Sequence, residues 1–212
     1  MILKLVSLAA IAAFTFVPHD TLPDLAIGTT MPAADVKMKD VGGKELSLKE
    51  MAGKNGTLVI FSCNTCPFVV GSEGSEGWEG RYPELGAFSS RKGIGMVLVN
   101  SNEAKRDAGD SFADMQARYK SHKYSGNYVL DANSKVADAF GARTTPHVFL
   151  FDKNMKLVYK GAIDDNVGSA TAVKEKWLMN AITNLVDGKV IEPSITRNIG
   201  CSIKRVAVEH KH

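Results

Sequence analysis

Cysteine is scarce in this 212-residue chain: Cys63, Cys66 and Cys201 are the only three. No four-ligand structural zinc set is legible, because His19, His122, His147, His210 and His212 fall into no C-x-x-C…H-x-x-x-H pattern with them. A membrane-spanning run is also missing. The longest uncharged apolar stretch, Leu5 to Val17, is thirteen residues, too short to cross a bilayer by itself. Lys and Arg are scattered except near the end (Arg197, Lys204, Arg205, Lys211) and no aromatic stacking platform accompanies them, which reads as a solvated terminus and not a nucleic-acid site.

What is present suits one globular domain with extensions. Hydrophobic residues make up 44% of the chain and charged residues 23%, with a net charge of +3. Leu5–Val17 follows Lys4 and precedes Pro18, and suits the h-region of a secretory signal peptide. No small-x-small cleavage site stands before Pro18, and no cysteine is available there for lipid attachment. An uncleaved anchor and a buried strand therefore stay beside export as readings. The expected division is a signal peptide or anchor over 1–20, a domain over 24–187 and a tail over 188–212 that contains Cys201. An exported chain of this kind works in the periplasm, or faces it from a membrane anchor, where disulfides persist.

The chemistry-bearing motif is Cys63-Asn64-Thr65-Cys66-Pro67, which follows the apolar run Leu58-Val59-Ile60-Phe61. Two thiols on a first helical turn can close a small-loop disulfide, with the helix N-terminus favouring the first thiolate. Cys63 is accordingly the expected nucleophile and Cys66, one turn inside, the resolving thiol. Spacing alone leaves half a metal site, or coincidence, as alternatives to a dithiol redox site.

Leu58–Phe61 and Met96–Val99 read as buried strands, which makes residues 66–90 a βαβ crossover. Gly71, Gly74, Gly77 and Gly80 recur within it, so its helix is weak in isolation or interrupted by a loop. Glu45–Leu48 alternates as a half-buried strand does. Phe112, Met115 and Tyr119 share a helix face that Asp110 or Ser111 can cap, and Tyr128–Leu130 reads as a short strand. Ser134 is the expected cap of a short helix that Gly141 stops. Val148–Phe151 and Leu157–Tyr159 form a hairpin through Asp152-Lys153-Asn154. An apolar stripe from Val173 to Leu185 marks a last helix that Gly188 ends. The pattern predicts an α/β fold, a central mixed sheet with helices on both faces. Thr145-Pro146 stands just before the first hairpin strand, where a missing N–H is tolerated.

Strand, C-x-x-C, βα units, Thr-Pro and a hairpin followed by a helix together resemble the thioredoxin-like fold. The chain is more closely similar to its redoxin branch, which includes the alkyl hydroperoxide reductase and thiol-specific antioxidant proteins and exported thiol-disulfide reductases. Leu25–Pro32, Lys44–Leu48 and Gly53–Phe61 look like that branch's N-terminal β extension, and Asp131 through Phe149 like its second half, so that the resemblance covers residues 25 to 187. It implies a cis Thr145–Pro146 bond facing the dithiol, with the Thr145 backbone offered to an extended substrate. It also implies thiol-disulfide exchange with a protein carrying a disulfide or dithiol, an upstream thiol electron donor or acceptor, no cofactor and no resident metal. Nucleic acid is not an expected partner, and a membrane is expected only through the N-terminal segment.

The chain departs from the pattern at several points. Ser62 stands where thioredoxins commonly carry Trp, and the intervening pair is Asn-Thr. No Asp or Glu lies between Met51 and Cys66, so the buried carboxylate of thioredoxins has no local equivalent. The P-x-x-x-T-x-x-C order of peroxiredoxins is absent before Cys63, which sets peroxide reduction behind disulfide exchange. A third reading, a copper-binding chaperone, would join the two thiolates to His147, but strand alternation points His147 away from whatever faces Pro146. Cys201 is expected to be inert, with the tail packing away from Cys63 and Cys66.

Overall fold

The computed structural model describes residues 22–206. The leader expected over 1–20 lies outside the described residues, as do His210 and His212. Among the described residues no helix is long and apolar enough to cross a membrane.

In chain order the elements are strands β1 (Met38–Asp40), β2 (Glu45–Leu46) and β3 (Gly56–Ser62), helices α1 (Pro67–Val70) and α2 (Tyr82–Arg91), and strand β4 (Ile94–Asn100). Helix α3 (Phe112–Ser121), strand β5 (Asn127–Leu130), helix α4 (Lys135–Phe140), and strands β6 (Thr144–Thr145), β7 (His147–Asp152) and β8 (Leu157–Gly161) follow. Helix α5 (Trp177–Val186) and strand β9 (Cys201–Ser202) complete the chain. Seven strands make a mixed sheet in the order β2-β1-β5-β4-β3-β7-β8, and β6 pairs separately with β9. β3, β4 and β5 run parallel, while β7 and β8 return antiparallel at one edge. This is the thioredoxin-like α/β architecture, with β1 and β2 as the N-terminal β extension.

Alternation sorts the central strands onto two cores. Leu58 and Ile60 face a layer completed by Tyr82 and Leu85 of α2, Met115 of α3 and Leu178, Ala181 and Ile182 of α5. Val59 and Phe61 face the other way, against Val136, Ala137 and Phe140 of α4. Every residue of β3 is buried, as a strand covered on both faces requires. Cys63 and Cys66 belong to the first layer.

The glycine-rich crossover is interrupted. α1 ends after four residues, and Gly71, Gly74 and Gly77 all adopt positive φ. Close approach reinforces the requirement at Gly77, where a Cβ would meet the Gly71 nitrogen at 2.4 Å and the Val69 carbonyl oxygen at 2.5 Å. Tertiary contacts hold the segment: Trp78 donates through Nε1 to Asp164 at 2.7 Å, and Arg81 Nε pairs with the same carboxylate at 2.9 Å.

Two caps differ in detail from expectation. Ser111, one of the two residues proposed to cap α3, forms a full capping box with Asp114. The other, Asp110, faces the C-x-x-C loop instead. Ser134 sits at the N-cap position of α4 with φ 54° and makes no cap hydrogen bond. Asp131 takes over, accepting from the N–H groups of Val136 and Ala137, both at 2.9 Å. The last helix begins at Trp177, not at Val173.

The tail requires a correction. Expected to pack elsewhere, it crosses the domain and returns to the Cys63–Cys66 site, where Thr145 pairs with Cys201 and Thr144 with Ser202 in an antiparallel register. Unsatisfied backbone and an apolar anchor explain the path. Thr196 donates its N–H to the Lys160 carbonyl at 3.0 Å, Ile203 donates to Arg143 at 3.0 Å, and the Ile203 side chain is buried in the second core.

Candidate active site

The site forms where β3 stops. Ser62, its last residue, is buried and shares a 2.9 Å hydrogen bond with the Tyr82 hydroxyl. Cys63 follows with no exposed surface, Asn64 and Thr65 turn the chain, and Cys66 becomes the N-cap residue of α1, with Pro67 at its first position. The expected placement is not found, since both thiols are buried ahead of the first turn of α1. Cys63 does not lie on an exposed first helical turn, and Cys66 does not lie inside one.

A buried carboxylate fixes the loop from below. Asp110, fully buried just ahead of α3, accepts the Asn64 N–H at 2.7 Å and the Thr65 hydroxyl at 2.8 Å. The side-chain amides of Asn100 and Asn102 donate to it at 2.7 and 3.1 Å. Asn64 is spent on scaffolding as well: its amide donates to the Gly109 carbonyl at 3.0 Å and its oxygen accepts from the Tyr128 hydroxyl at 2.8 Å. Sequence reasoning looked for such a carboxylate only between Met51 and Cys66 and weighed Asp110 only as a helix cap. The available signal was an excess of cap candidates before α3, one of which had to serve another purpose.

Thr145 joins the two thiols. Its Oγ1 lies 3.2 Å from Cys63 Sγ, and its carbonyl oxygen lies 3.1 Å from Cys66 Sγ. The Thr145–Pro146 bond is cis and both residues are buried. The structure thus brings three of the expected site residues, Cys63, Cys66 and Thr145, into contact, with Pro146 following Thr145 in the chain. It adds Cys201, whose N–H points at Cys66 Sγ across 3.4 Å. The Thr145 edge, which the resemblance offers to a substrate strand, is paired here with β9 of the same chain.

The electrostatics separate the two thiols. The proton of the neighbouring Cys63 thiol lowers Cys66 below the ordinary thiol range, against the cost of burial and with help from the Cys201 thiol and N–H and from Thr145. Cys63 is pushed up, first by that same hydrogen bond to Cys66 and then by burial, with the Asp110 charge acting in the same direction. The shared hydrogen bond thus favours ionisation of Cys66 over Cys63, while the Cys66 thiol in its protonated form donates to the Thr145 carbonyl.

His147 is not part of this constellation. Its ring packs on Phe149 with centroids 4.4 Å apart, in the face of β7 that turns away from the thiols, and its Nδ1 accepts the Arg143 N–H at 3.4 Å. Burial, followed by the charges of Lys160 and Arg143, lowers its pKa to about 4. Among the described residues no cluster of three or more His, Cys, Asp or Glu side chains is arranged to hold a metal ion.

This fold and this dithiol define a class, the thioredoxin-like proteins. The redoxin family model matches residues 26–175, and the chain belongs to the redoxin family. Thiol-based redox function follows from that membership. A hypothetical protein from Sinorhizobium meliloti 1021 is 32% identical and superimposes with a TM-score of 0.77, covering 87% of this chain and 97% of that one. An uncharacterized conserved protein from Geobacillus kaustophilus is 28% identical at a TM-score of 0.76, covering 88% and 94%. The peroxidoxin BcpB from Mycobacterium tuberculosis shares the fold at 13% identity and a TM-score of 0.52, covering 76% and 97%. No curated protein matches the chain.

Proposed function

We propose that this redoxin is a thiol-disulfide oxidoreductase that exchanges disulfides with protein substrates through Cys63 and Cys66. The observation that carries this reading is the convergence of both thiols on Thr145, with Cys66 alone favoured as thiolate. Cys66 Sγ attacks a substrate disulfide, one substrate thiolate leaves, and a mixed disulfide forms on Cys66. A second protein thiol then attacks Cys66 Sγ and expels the other substrate thiolate. Two electrons pass to the substrate, and an external dithiol restores the pair. This reading assigns the first attack to Cys66 in place of Cys63, because the hydrogen bond the two thiols share favours the Cys66 thiolate. Because β9 already occupies the Thr145 edge, a substrate segment reaches the dithiol there only when β9 is displaced. The uncharged run Leu5–Val17 supports export, with the enzyme acting in or facing the periplasm.

The test is to present the reduced protein with insulin disulfides and, separately, with hydrogen peroxide. Reduction of insulin with loss of protein thiols, abolished in Cys66→Ala, is expected. Turnover of peroxide together with inertness towards insulin would replace this reading with peroxide reduction. Cell fractionation that left the full chain in the cytoplasm would remove the export proposal.

A further inference from the structure

We propose that Cys201 is a third redox-active cysteine, the outer resolving thiol of the site, which closes a disulfide with Cys66. This rests on the thiol-disulfide reading above and extends it to the tail. Three observations carry it: where Cys201 is held, how firmly, and how exposed it is relative to the other two thiols.

Its place is set by strand pairing. Cys201 is the register partner of Thr145, the residue that touches both Cys63 and Cys66, and its N–H points at Cys66 Sγ across 3.4 Å. Gly200 makes the approach possible, since a Cβ there would meet the Thr145 carbonyl oxygen at 2.4 Å. Contacts on both sides then fix the strap. Before Cys201, the Asn198 amide donates to Thr144 Oγ1 at 2.7 Å. After it, Lys204 N–H donates to the Asn102 side chain at 2.9 Å, and Arg205 Nε donates to Asp138 at 2.6 Å. A thiol delivered by so many contacts is prepositioned, and little chain entropy remains to be lost when it bonds to its neighbour.

Exposure orders the three sulfurs from inside to outside. Cys63 is 0% exposed, Cys66 3%, and Cys201 is half-buried at the surface of the strap. Cys66 therefore has one potential resolving thiol beneath it and one above. The outer one is the only one of the three that is not fully buried. Cys201 is raised by burial first and then by its hydrogen bond to Cys66.

The chemistry balances without a further oxidant. Attack of the Cys66 thiolate on the substrate disulfide forms the Cys66–substrate bond and releases the first substrate thiolate, which takes up a proton. Cys201 loses its proton and attacks Cys66 Sγ. The Cys66–substrate bond breaks, the second substrate thiolate leaves, and a Cys66–Cys201 disulfide remains. Cys63 can attack Cys66 in turn, forming Cys63–Cys66 and freeing Cys201, so the oxidised pair can move inward. A dithiol reductant, a protein dithiol or dithiothreitol in vitro, returns the protein to three thiols.

The experiment oxidises the full-length reduced protein with diamide or oxidised glutathione, quenches it with acid and N-ethylmaleimide, and maps its tryptic peptides without reduction. Cleavage leaves Cys63 and Cys66 together on residues 55–81 and Cys201 on residues 198–204. The expected product is a disulfide joining those two peptides in the wild type, in monomeric protein. In Cys63→Ala the two remaining thiols are expected to fall to none on diamide treatment, with the same linked peptides. Wild-type protein that shows only the internal Cys63–Cys66 disulfide, together with a Cys63→Ala variant that keeps two free thiols, overturns the proposal and leaves the thiol-disulfide reading standing. A protein that fails to react with glutathione disulfide yet forms the Cys66–Cys201 link with diamide overturns that reading instead. If Cys63→Ala does not fold, Cys63→Ser is mapped in its place, and two free thiols remaining after diamide in that variant overturn the proposal.

Discussion

The backbone N–H of Asn64 donates to Oδ1 of Asp110 across 2.7 Å, tying the loop between the two cysteines to a carboxylate forty-six positions away. Each Asp110 oxygen accepts twice: Oδ1 from Asn64 and Asn100, Oδ2 from Thr65 and Asn102. Asp110→Asn keeps the shape but turns one oxygen into an amino group that faces two donors. Either orientation leaves buried donors unpaired at roughly 1–3 kcal/mol each. Urea denaturation of the variant is expected to show a loss of about 2–4 kcal/mol, with a parallel loss of disulfide reduction. Unchanged stability would show that Asp110 does not hold the loop.

The separation of the two thiols is readable by alkylation. The thiolate is the reacting species, so a thiol with a lowered pKa stays reactive at a pH where ordinary thiols have become slow. Iodoacetamide at pH 7 is expected to label Cys66 ahead of Cys63 and Cys201. In Cys66→Ser the remaining thiols should label slowly at pH 7 and faster as pH rises. Preferential labelling of Cys63 at pH 7 would restore the role first expected of it.

Much of this arrangement is legible in the sequence, and the reasons differ from element to element. Buried strands β3, β4, β7 and β8 announce themselves as apolar runs bounded by turn residues. Cys63, Cys66, Thr145 and Pro146 stand in short local patterns. Helix α1 is shorter than the crossover suggests because positive-φ glycines end it, and Pro67 shifts its start past the second cysteine, which leaves both cysteines ahead of its first turn. Asp110 and Cys201 escape local reading altogether. Each reaches the site through long-range pairing, Asp110 from the segment after β4 and Cys201 from a strap whose path is set by Thr196, Ile203 and Arg205.

His147 gives the protein a pH-dependent weakness remote from the thiols. Its pKa is held at about 4 in the folded protein, by burial first and by Lys160 and Arg143 next, against an ordinary value of 6.5 in the unfolded chain. Over that interval the unfolded chain binds the proton and the folded protein does not. Stability from this group is complete above about pH 6.5 and is lost as pH falls towards 4, a change on the order of 3 kcal/mol. Urea midpoints measured between pH 7 and 4 should fall for the wild type and fall less for His147→Phe. Equal slopes would mean that another group carries the dependence.

Gly200 controls how closely the strap covers the dithiol. A Cβ at this position would lie 2.4 Å from the Thr145 carbonyl oxygen and 2.7 Å from its carbon, and both atoms belong to a buried backbone that also contacts Cys66. Gly200→Ala must therefore displace β9, and the displacement falls on the strap because Thr145 is held between the sheet and the thiols. Cys66 then loses the Cys201 N–H contact and gains access to solvent. Labelling of Cys66 by a bulky maleimide is expected to accelerate about tenfold, the factor that corresponds to about 1.4 kcal/mol of lost strap attachment. The yield of the Cys66–Cys201 disulfide should fall in the same variant, while β3 and β4 remain intact by circular dichroism. An unchanged labelling rate would show that the strap does not limit access to Cys66.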